Sequence, residues 1–386
     1  MSVHYFDHAA SAPRSSRVAD AMAPFERGVV GNPSGAHRAA RLARRALEDA
    51  RDSVAGHLGL PATGVVFTGG GTESCTLALA GVMARRRTSS RRGLVVSSIE
   101  HHAVLDAADL CQREYGADLT HLGVTPRGVI DLNHADRAVS DTTALVSVMT
   151  VNNETGVLQP IGEVAERAHE HGALLHTDAV AAAPWVDLRE YVASADLISL
   201  AAHKLGGPVN SGLLAVRPGV DILARSPGGG QERGWRGGTV DVAAAVGLAA
   251  ALEETVERRV ATLAHAARLR DRLWAGVADL DGVHRTADVD TAVPGTLHLC
   301  VADVASDELL FLLDEAGVCA SAGAACSSGA AQSSHVLAAM GVANYLARGA
   351  LRLSWGAETT DADVDAAIRA LRDAHHRLRG GEVLAD

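Results

Sequence analysis

Residues 65–74 read VVFTGGGTES. The first four make an apolar run of strand length, three glycines break it, and a helix-like stretch follows over 75–86. A strand that turns tightly into a helix is half of the unit from which parallel sheets are assembled. Glycines leave backbone N–H groups open to an anion, the start of a helix favours negative charge, and Thr72 adds a hydroxyl donor. FTGGGTES therefore reads as a phosphate cradle. Read as a purely structural turn, the same residues have Thr72 as the N-cap of the helix.

Outward from this turn the alternation repeats. Apolar runs recur as LVVSSI (94–99), ALVSVMTV (144–151), ALLHTDA (173–179), LISLAA (197–202) and GLLAV (212–216), with helix-like stretches at 103–115 and 160–171. Ahead of it, Ala43, Leu47, Ala50, Val54 and Leu58 recur at spacings of three and four, an amphipathic helix over 37–58 that ends at GLP. The alternation predicts an α/β fold with a mostly parallel sheet covered on both faces. A long helical pattern over about 240–277 then changes the order to strand (295–301), helix (305–316), a loop of small residues, helix (333–340), strand (350–355) and helix (361–378). This predicts a second, smaller α/β domain. The expected division is an N-terminal segment (1–17) packing with the small domain, a large domain (18–255) and a C-terminal small domain (256–386).

The chain has 386 residues, 47% of them apolar and 21% charged, enough for two domains with a large core. A formal net charge of -11 excludes a nucleic-acid surface and points to a small molecule or a protein as partner. MSVHYFDHAASAP, at the N-terminus, is neither a signal peptide nor an anchor, and no run approaches the roughly 20 apolar residues of a membrane span, so a cytoplasmic protein is expected. Five cysteines, Cys75, Cys111, Cys300, Cys319 and Cys326, lack CxxC spacing, which suits free thiols in a reducing compartment and no metal site. ARRRTSSRRG (84–93) reads as a solvated basic turn.

Sites in doubly covered sheets gather at the carboxyl ends of strands. SLAAHKLGGP (199–208) sets Lys204 just beyond an apolar strand, where desolvation lowers an amine's pKa toward what a Schiff base needs; the plain alternative is a lysine in water. LLHTDAV (174–180) ends a strand with Asp178, an acid that needs a cationic partner if buried. SSIEHH (97–102) brings His101 to a third strand end. Phosphate cradle, lysine, acid and histidine in this order describe pyridoxal 5'-phosphate (PLP), with Lys204 on its aldehyde carbon, Asp178 on its ring nitrogen and His101 on its ring face.

At this point the motifs YFDHAASAP, GNPSGAH, FTGGGTES, SSIEHHAVL, VNNETGVLQPI, HTDAV, HKLGGP, GGGQERGWRGGT, ACSSG and LRLSWG resemble, in order, those of the cysteine desulfurases of the aminotransferase class V group. The resemblance runs from residue 5 to about 375, and the spacing after Cys326 is similar to the branch with a long cysteine loop. It implies a PLP-dependent fold-type-I transferase with a seven-stranded sheet, acting as a homodimer. By this resemblance Lys204 is the Schiff-base lysine, Asp178 the pyridinium partner, and His101 the stacking and proton-transferring histidine. Gly71, Thr72 and His203 match phosphate-binding positions, Asn153 a cofactor contact, and Thr239 a phosphate contact donated across the dimer. Arg352 matches the arginine that grips the substrate carboxylate, a task for a bidentate fork, and Asn32 lies on the substrate side. Cys326 matches the nucleophile that takes sulfur from L-cysteine as a persulfide, leaving L-alanine.

A cysteine in ASAGAACSSGAAQSSHVL (320–337) suits that role, because the thiolate must reach the bound substrate and then an acceptor, and small residues free the backbone to swing. The loop is expected over 320–332 of the small domain. The implied acceptor is a protein: an iron–sulfur scaffold, a tRNA or DNA thiolation enzyme, or a sulfur carrier. Two positions depart from the family pattern. Ala181 stands where a glutamine usually bonds the cofactor's phenolic oxygen, and Ala201 where a serine or threonine usually binds phosphate. Alternatives are a PLP-dependent C–S or C–Se lyase with another substrate, or a degenerate paralogue acting as a sulfur-acceptor scaffold.

Overall fold

The structure, a computed structural model, describes residues 3–28, 31–323 and 334–379. In chain order its strands are β1 (His4–Tyr5), β2 (Val65–Thr68), β3 (Gly93–Ser97), β4 (Asp118–Leu122), β5 (Thr143–Ser147), β6 (Leu174–Asp178), β7 (Leu197–Ala201), β8 (Gly212–Val216), β9 (Val283–Arg285), β10 (Thr296–Val301), β11 (Val318–Cys319) and β12 (Ala350–Ser354). Seven form the central sheet in the order β2-β8-β7-β6-β5-β3-β4. β4, β3, β5, β6 and β7 pair in parallel, and β8 runs antiparallel to both of its neighbours.

Successive residues of each strand feed two different cores, as strand geometry requires. Val65, Phe67, Val95, Val146, Leu175, Ile198 and Leu213 pack on one face with the helices Arg38–Leu58 and Ile161–Glu170. Val66, Leu94, Val96, Leu145, Leu197 and Leu214 pack on the other with Gly71–Arg86 and His102–Tyr115. The mostly parallel, doubly covered sheet expected from the sequence is therefore present.

The helix Val242–Ala275 joins two cores. Its first half gives Ala245, Leu248 and Leu252 to the central sheet, and its second half gives Ala266, Leu269 and Leu273 to a third core around the antiparallel sheet β12-β10-β9. The N-terminal segment lies along that third core. β1 pairs with β11, Phe6 is fully buried edge-on to Trp355, and Ser354 N–H donates to Phe6 O at 2.8 Å.

Several local expectations need correction. The N-cap before Gly71–Arg86 is Gly70, at φ 141°, and Thr72 sits inside the first turn, so Thr72 is not a cap. β4 and the helices Ser16–Arg27 and Leu132–Ala138 have no counterpart in the sequence reading, because DLTHL exposes most of its length and the two helices are short amphipathic pieces. LVVSSI and ALVSVMTV end as strands at Ser97 and Ser147, where the chain turns toward the site.

One buried ion pair ties distant segments together. Arg51 donates from Nη1 and Nη2 to Glu232 at 2.8 and 2.7 Å, and both side chains are almost wholly buried. Arg51 Nη1 also donates to Val65 O at 2.6 Å, while Glu232 accepts from Phe67 N–H at 2.7 Å. Glu232 and Arg233 hold φ values of 43° and 56°, a left-handed turn for two non-glycine residues that these contacts sustain. Arg51→Met is expected to lower the unfolding free energy by about 3–5 kcal/mol by stranding the carboxylate. Urea denaturation should show the shift, and Arg51→Met combined with Glu232→Leu should recover most of it.

Candidate active site

The carboxyl ends of β3, β5, β6 and β7 open onto a cavity of about 450 Å³. Gly71, Thr72, His101, Asn153, Asp178, His203, Lys204 and Arg352 all line it, which brings eight of the expected residues together. Asn32 and Thr239 do not. Both are exposed and line a separate depression of about 340 Å³ beside Glu232 and Arg233. Cys326 lies outside the described residues.

Asp178 closes the cavity's inner end. Its Oδ1 accepts from Val180 N–H at 2.9 Å and its Oδ2 from the Cys75 thiol at 3.7 Å. Burial pushes its carboxyl above the usual range, against the pull of Val180 N–H, His101, Cys75 and Lys204. Burial raises the neighbouring acid Glu100 well above its usual value, with the Asp178 charge adding to it, while Met149 N–H donates to Glu100 Oε1 at 2.6 Å. Burial likewise keeps Cys75 a thiol.

His101 precedes the helix His102–Tyr115 and caps it, its Nδ1 accepting from Ala103 N–H at 3.0 Å. A backbone N–H can only donate, so Nδ1 carries no proton and the neutral ring's proton sits on Nε2. Burial lowers the ring's pKa, Lys204, His102 and His335 lower it further, and Asp178 opposes them. Burial also pushes His203 down to about 4, helped by Lys204 and His101.

Lys204 follows β7 in a short 3-10 turn and donates from Nζ to Ala9 O at 2.5 Å and Ala10 O at 3.0 Å. Arg352, in β12, donates from Nη1 to Asn153 O at 2.8 Å and from Nη2 to Asp7 Oδ1 at 2.7 Å; its Nε is buried without a partner among the described residues. Ala181 lines both this cavity and an adjoining compartment of about 430 Å³, and Lys204 stands between the two.

These residues fit PLP on two observations. The helix Gly71–Arg86 aims its first-turn N–H groups at the cavity, and a side chain on Gly71 would meet Val180 Cγ2 at 2.9 Å, so glycine keeps the cradle open. Asp178, a buried acid bonded among the described residues by weak or neutral donors, has a place there for the strong cation that a protonated ring nitrogen supplies. Arg352 Nε, buried without a partner among the described residues, suits a carboxylate-bearing ligand beside the cofactor.

The structure adds lining residues the sequence reading passed over: Glu154, His102, His335 and Ser334. Glu154 Oε2 accepts from Ser334 Oγ at 2.5 Å, and burial raises its pKa. His335 donates from Nε2 to Glu100 O at 2.9 Å, and its ring lies 5.0 Å from that of His102. All four stand inside or beside quoted motifs, and polarity within those motifs was the available signal.

The chain matches the aminotransferase class-V family over residues 4–367. It is 41% identical over 387 aligned residues to an IscS-like cysteine desulfurase of Mycobacterium tuberculosis, covering 99% of this chain and 98% of that relative. A solved NifS-like protein superposes with a TM-score of 0.90 at 33% identity, covering 98% of this chain and 99% of the other. SspA, solved in complex with cysteine, superposes at 0.80 with 32% identity, covering 91% and 98%. The chain belongs to the cysteine desulfurases, PLP-dependent enzymes of the aminotransferase class-V family.

Buried neutral histidines give the protein a pH signature. His176, fully buried between Ser147 Oγ at 2.8 Å and Ser199 Oγ at 2.9 Å, is pushed from 6.5 to about 3 by burial. Between those values the unfolded chain holds a proton that the native one lacks. This contribution to stability is therefore complete above about pH 6.5 and is lost as pH falls toward about 3. The difference in unfolding free energy between wild type and His176→Asn, measured by urea denaturation, should be flat above pH 7 and shrink below 6.5, with a slope approaching about 1.4 kcal/mol per pH unit.

Proposed function

We propose that this cavity converts L-cysteine to L-alanine with residues in the following roles, and that the convergence of Lys204, Asp178, His101 and Arg352 on one buried space carries the assignment. Bound PLP supplies an aldehyde for amines and a protonated ring that withdraws the electron pair left at the substrate α-carbon. Lys204 Nζ anchors the cofactor, Asp178 holds the proton on its ring nitrogen, and Asn153 steadies it. The first-turn N–H groups after Gly70, with Thr72 and His203, bind the phosphate. Arg352 binds the substrate carboxylate and orients the substrate. His101, its proton on Nε2 and its base strength lowered by burial, would stack on the ring and move protons at the substrate.

Cys326 Sγ, as thiolate, attacks the substrate sulfur. An S–S bond forms, the C–S bond breaks, and a proton completes the alanine methyl group. L-Cysteine and a protein thiol become L-alanine and a persulfide, and no external oxidant or reductant is consumed. The persulfide sulfur then passes to an acceptor protein. SspA, a similar protein solved with cysteine, supports the substrate.

The working unit is a homodimer in this reading. Asn32 and Thr239 are exposed and outside their own chain's cavity, which suits residues that serve the cavity of a second copy. The domain division at residues 255/256 is supported by the helix Val242–Ala275, whose halves enter different cores. A cytoplasmic setting is supported by the unpaired thiols of Cys75, Cys111, Cys300 and Cys319; no helix among the described residues is long and apolar enough to cross a membrane.

The test is alanine release from L-cysteine by protein saturated with PLP. Cys326→Ala should keep the cofactor's visible absorption and lose alanine release, whereas Lys204→Ala should lose both the wild-type absorption and the activity; alanine release by Cys326→Ala at the wild-type rate overturns the reading. Ala181→Gln restores a hydrogen bond to the cofactor and is expected to tighten PLP by about tenfold, measured by equilibrium dialysis.

A further inference from the structure

Arg352 is already occupied by its own chain. A guanidinium offers a carboxylate two parallel N–H edges, Nε with Nη2 and Nη1 with Nη2, since Cδ closes the third. Every bidentate grip therefore uses Nη2, and one of the two Nη2 hydrogens already goes to Asp7 Oδ1 at 2.7 Å, so a carboxylate entering on that nitrogen lies beside the Asp7 carboxylate. Nη1 is engaged by Asn153 O, and Nε is buried without a partner among the described residues. Arg352 lines the cavity and is 3% exposed, while Asp7 is 23% exposed, so the acid reaches a buried cation from a position with partial access to water.

We propose that Asp7 is a stand-in for the substrate carboxylate, an affinity-setting residue that the amino acid displaces from Arg352 Nη2. This inference rests on the reading of Arg352 as the carboxylate anchor. The displacement satisfies the orphaned Nε and releases a carboxylate that already has partial access to water. Before it occurs, two carboxylates cannot share Nη2 without like-charge repulsion, so Asp7 weakens the binding of every amino acid that enters. The same short segment supplies Ala9 O and Ala10 O to Lys204, so residues 7–10 bond to both Arg352 and Lys204. Asp7 touches no reacting atom in this scheme, and its effect falls on substrate binding and leaves the chemical step alone.

The experiment uses the PLP-loaded enzyme and L-alanine, which has the same carboxylate and no sulfur to transfer. Asp7→Asn keeps the size of the side chain and removes its charge. The Kd for L-alanine, read from the change in visible absorption, and the KM for L-cysteine should both fall by about threefold to tenfold, with kcat within about twofold. Asp7→Glu, which keeps the charge, should retain wild-type constants, and urea midpoints confirm that both variants are folded. Constants unchanged or raised in Asp7→Asn, or an Asp7→Glu variant as tight as Asp7→Asn, overturn the proposal. Arg352→Lys separates the underlying reading: a Kd for L-alanine equal to wild type overturns the anchor and the proposal together. An Arg352→Lys variant at least tenfold weaker, beside an Asp7→Asn variant no tighter than wild type, overturns the proposal alone.

Discussion

A sheet covered on both faces gives a ligand no access along its strands, and the site follows from that constraint. Each interior strand of the central sheet sends alternate side chains into two apolar cores, so functional side chains are carried at the ends, where the chain leaves the sheet. Asp178 is the last residue of β6, Lys204 lies just past β7, and His101 lies just past β3. The glycine turn after β2 needs the same closeness. A side chain on Gly212, at the start of β8, would come within 2.6 Å of Gly70, so the cradle packs directly on the neighbouring strand.

Behind the cavity the interior is kept nearly free of charge. Burial raises Glu100 and Cys75 and lowers His176, so each favours its neutral form. Against that background Asp178 faces the cavity with His101 and Lys204 nearby, and its ionisation depends on cations supplied from the cavity side. The fixed tautomer of His101 follows from its place at a helix start, where a backbone N–H takes up Nδ1. Local helix capping and site chemistry are thus two consequences of one hydrogen bond.

The alternation of apolar runs made the central sheet legible in the sequence, because buried parallel strands have no polar face to blur the pattern. The edge strand β4 escaped notice for the opposite reason: it pairs on one side only and shows Asp118, Thr120 and His121 substantially to solvent. Lys204, Asp178, His101, Thr72 and Arg352 were legible through motif order, and the structure gathers them around one cavity. Asp7 stood inside a quoted motif, yet its partner lies 345 residues away, a separation that local pattern does not span. The separate depression holding Asn32 and Thr239 was equally invisible, since it forms where the turn at 231–234 meets the helix Arg38–Leu58.

The pair of Arg51 and Glu232 has a consequence beyond stability. β2 ends the central sheet, and a bare end strand is a template on which another chain can add. Here Val65 O and Phe67 N–H, the groups such a chain would seek, are already bonded to the two charged side chains. Side chains thus stand where an eighth strand would pair, and an incoming strand would have to break a buried ion pair to dock. That guards this border of the sheet against edge-to-edge aggregation.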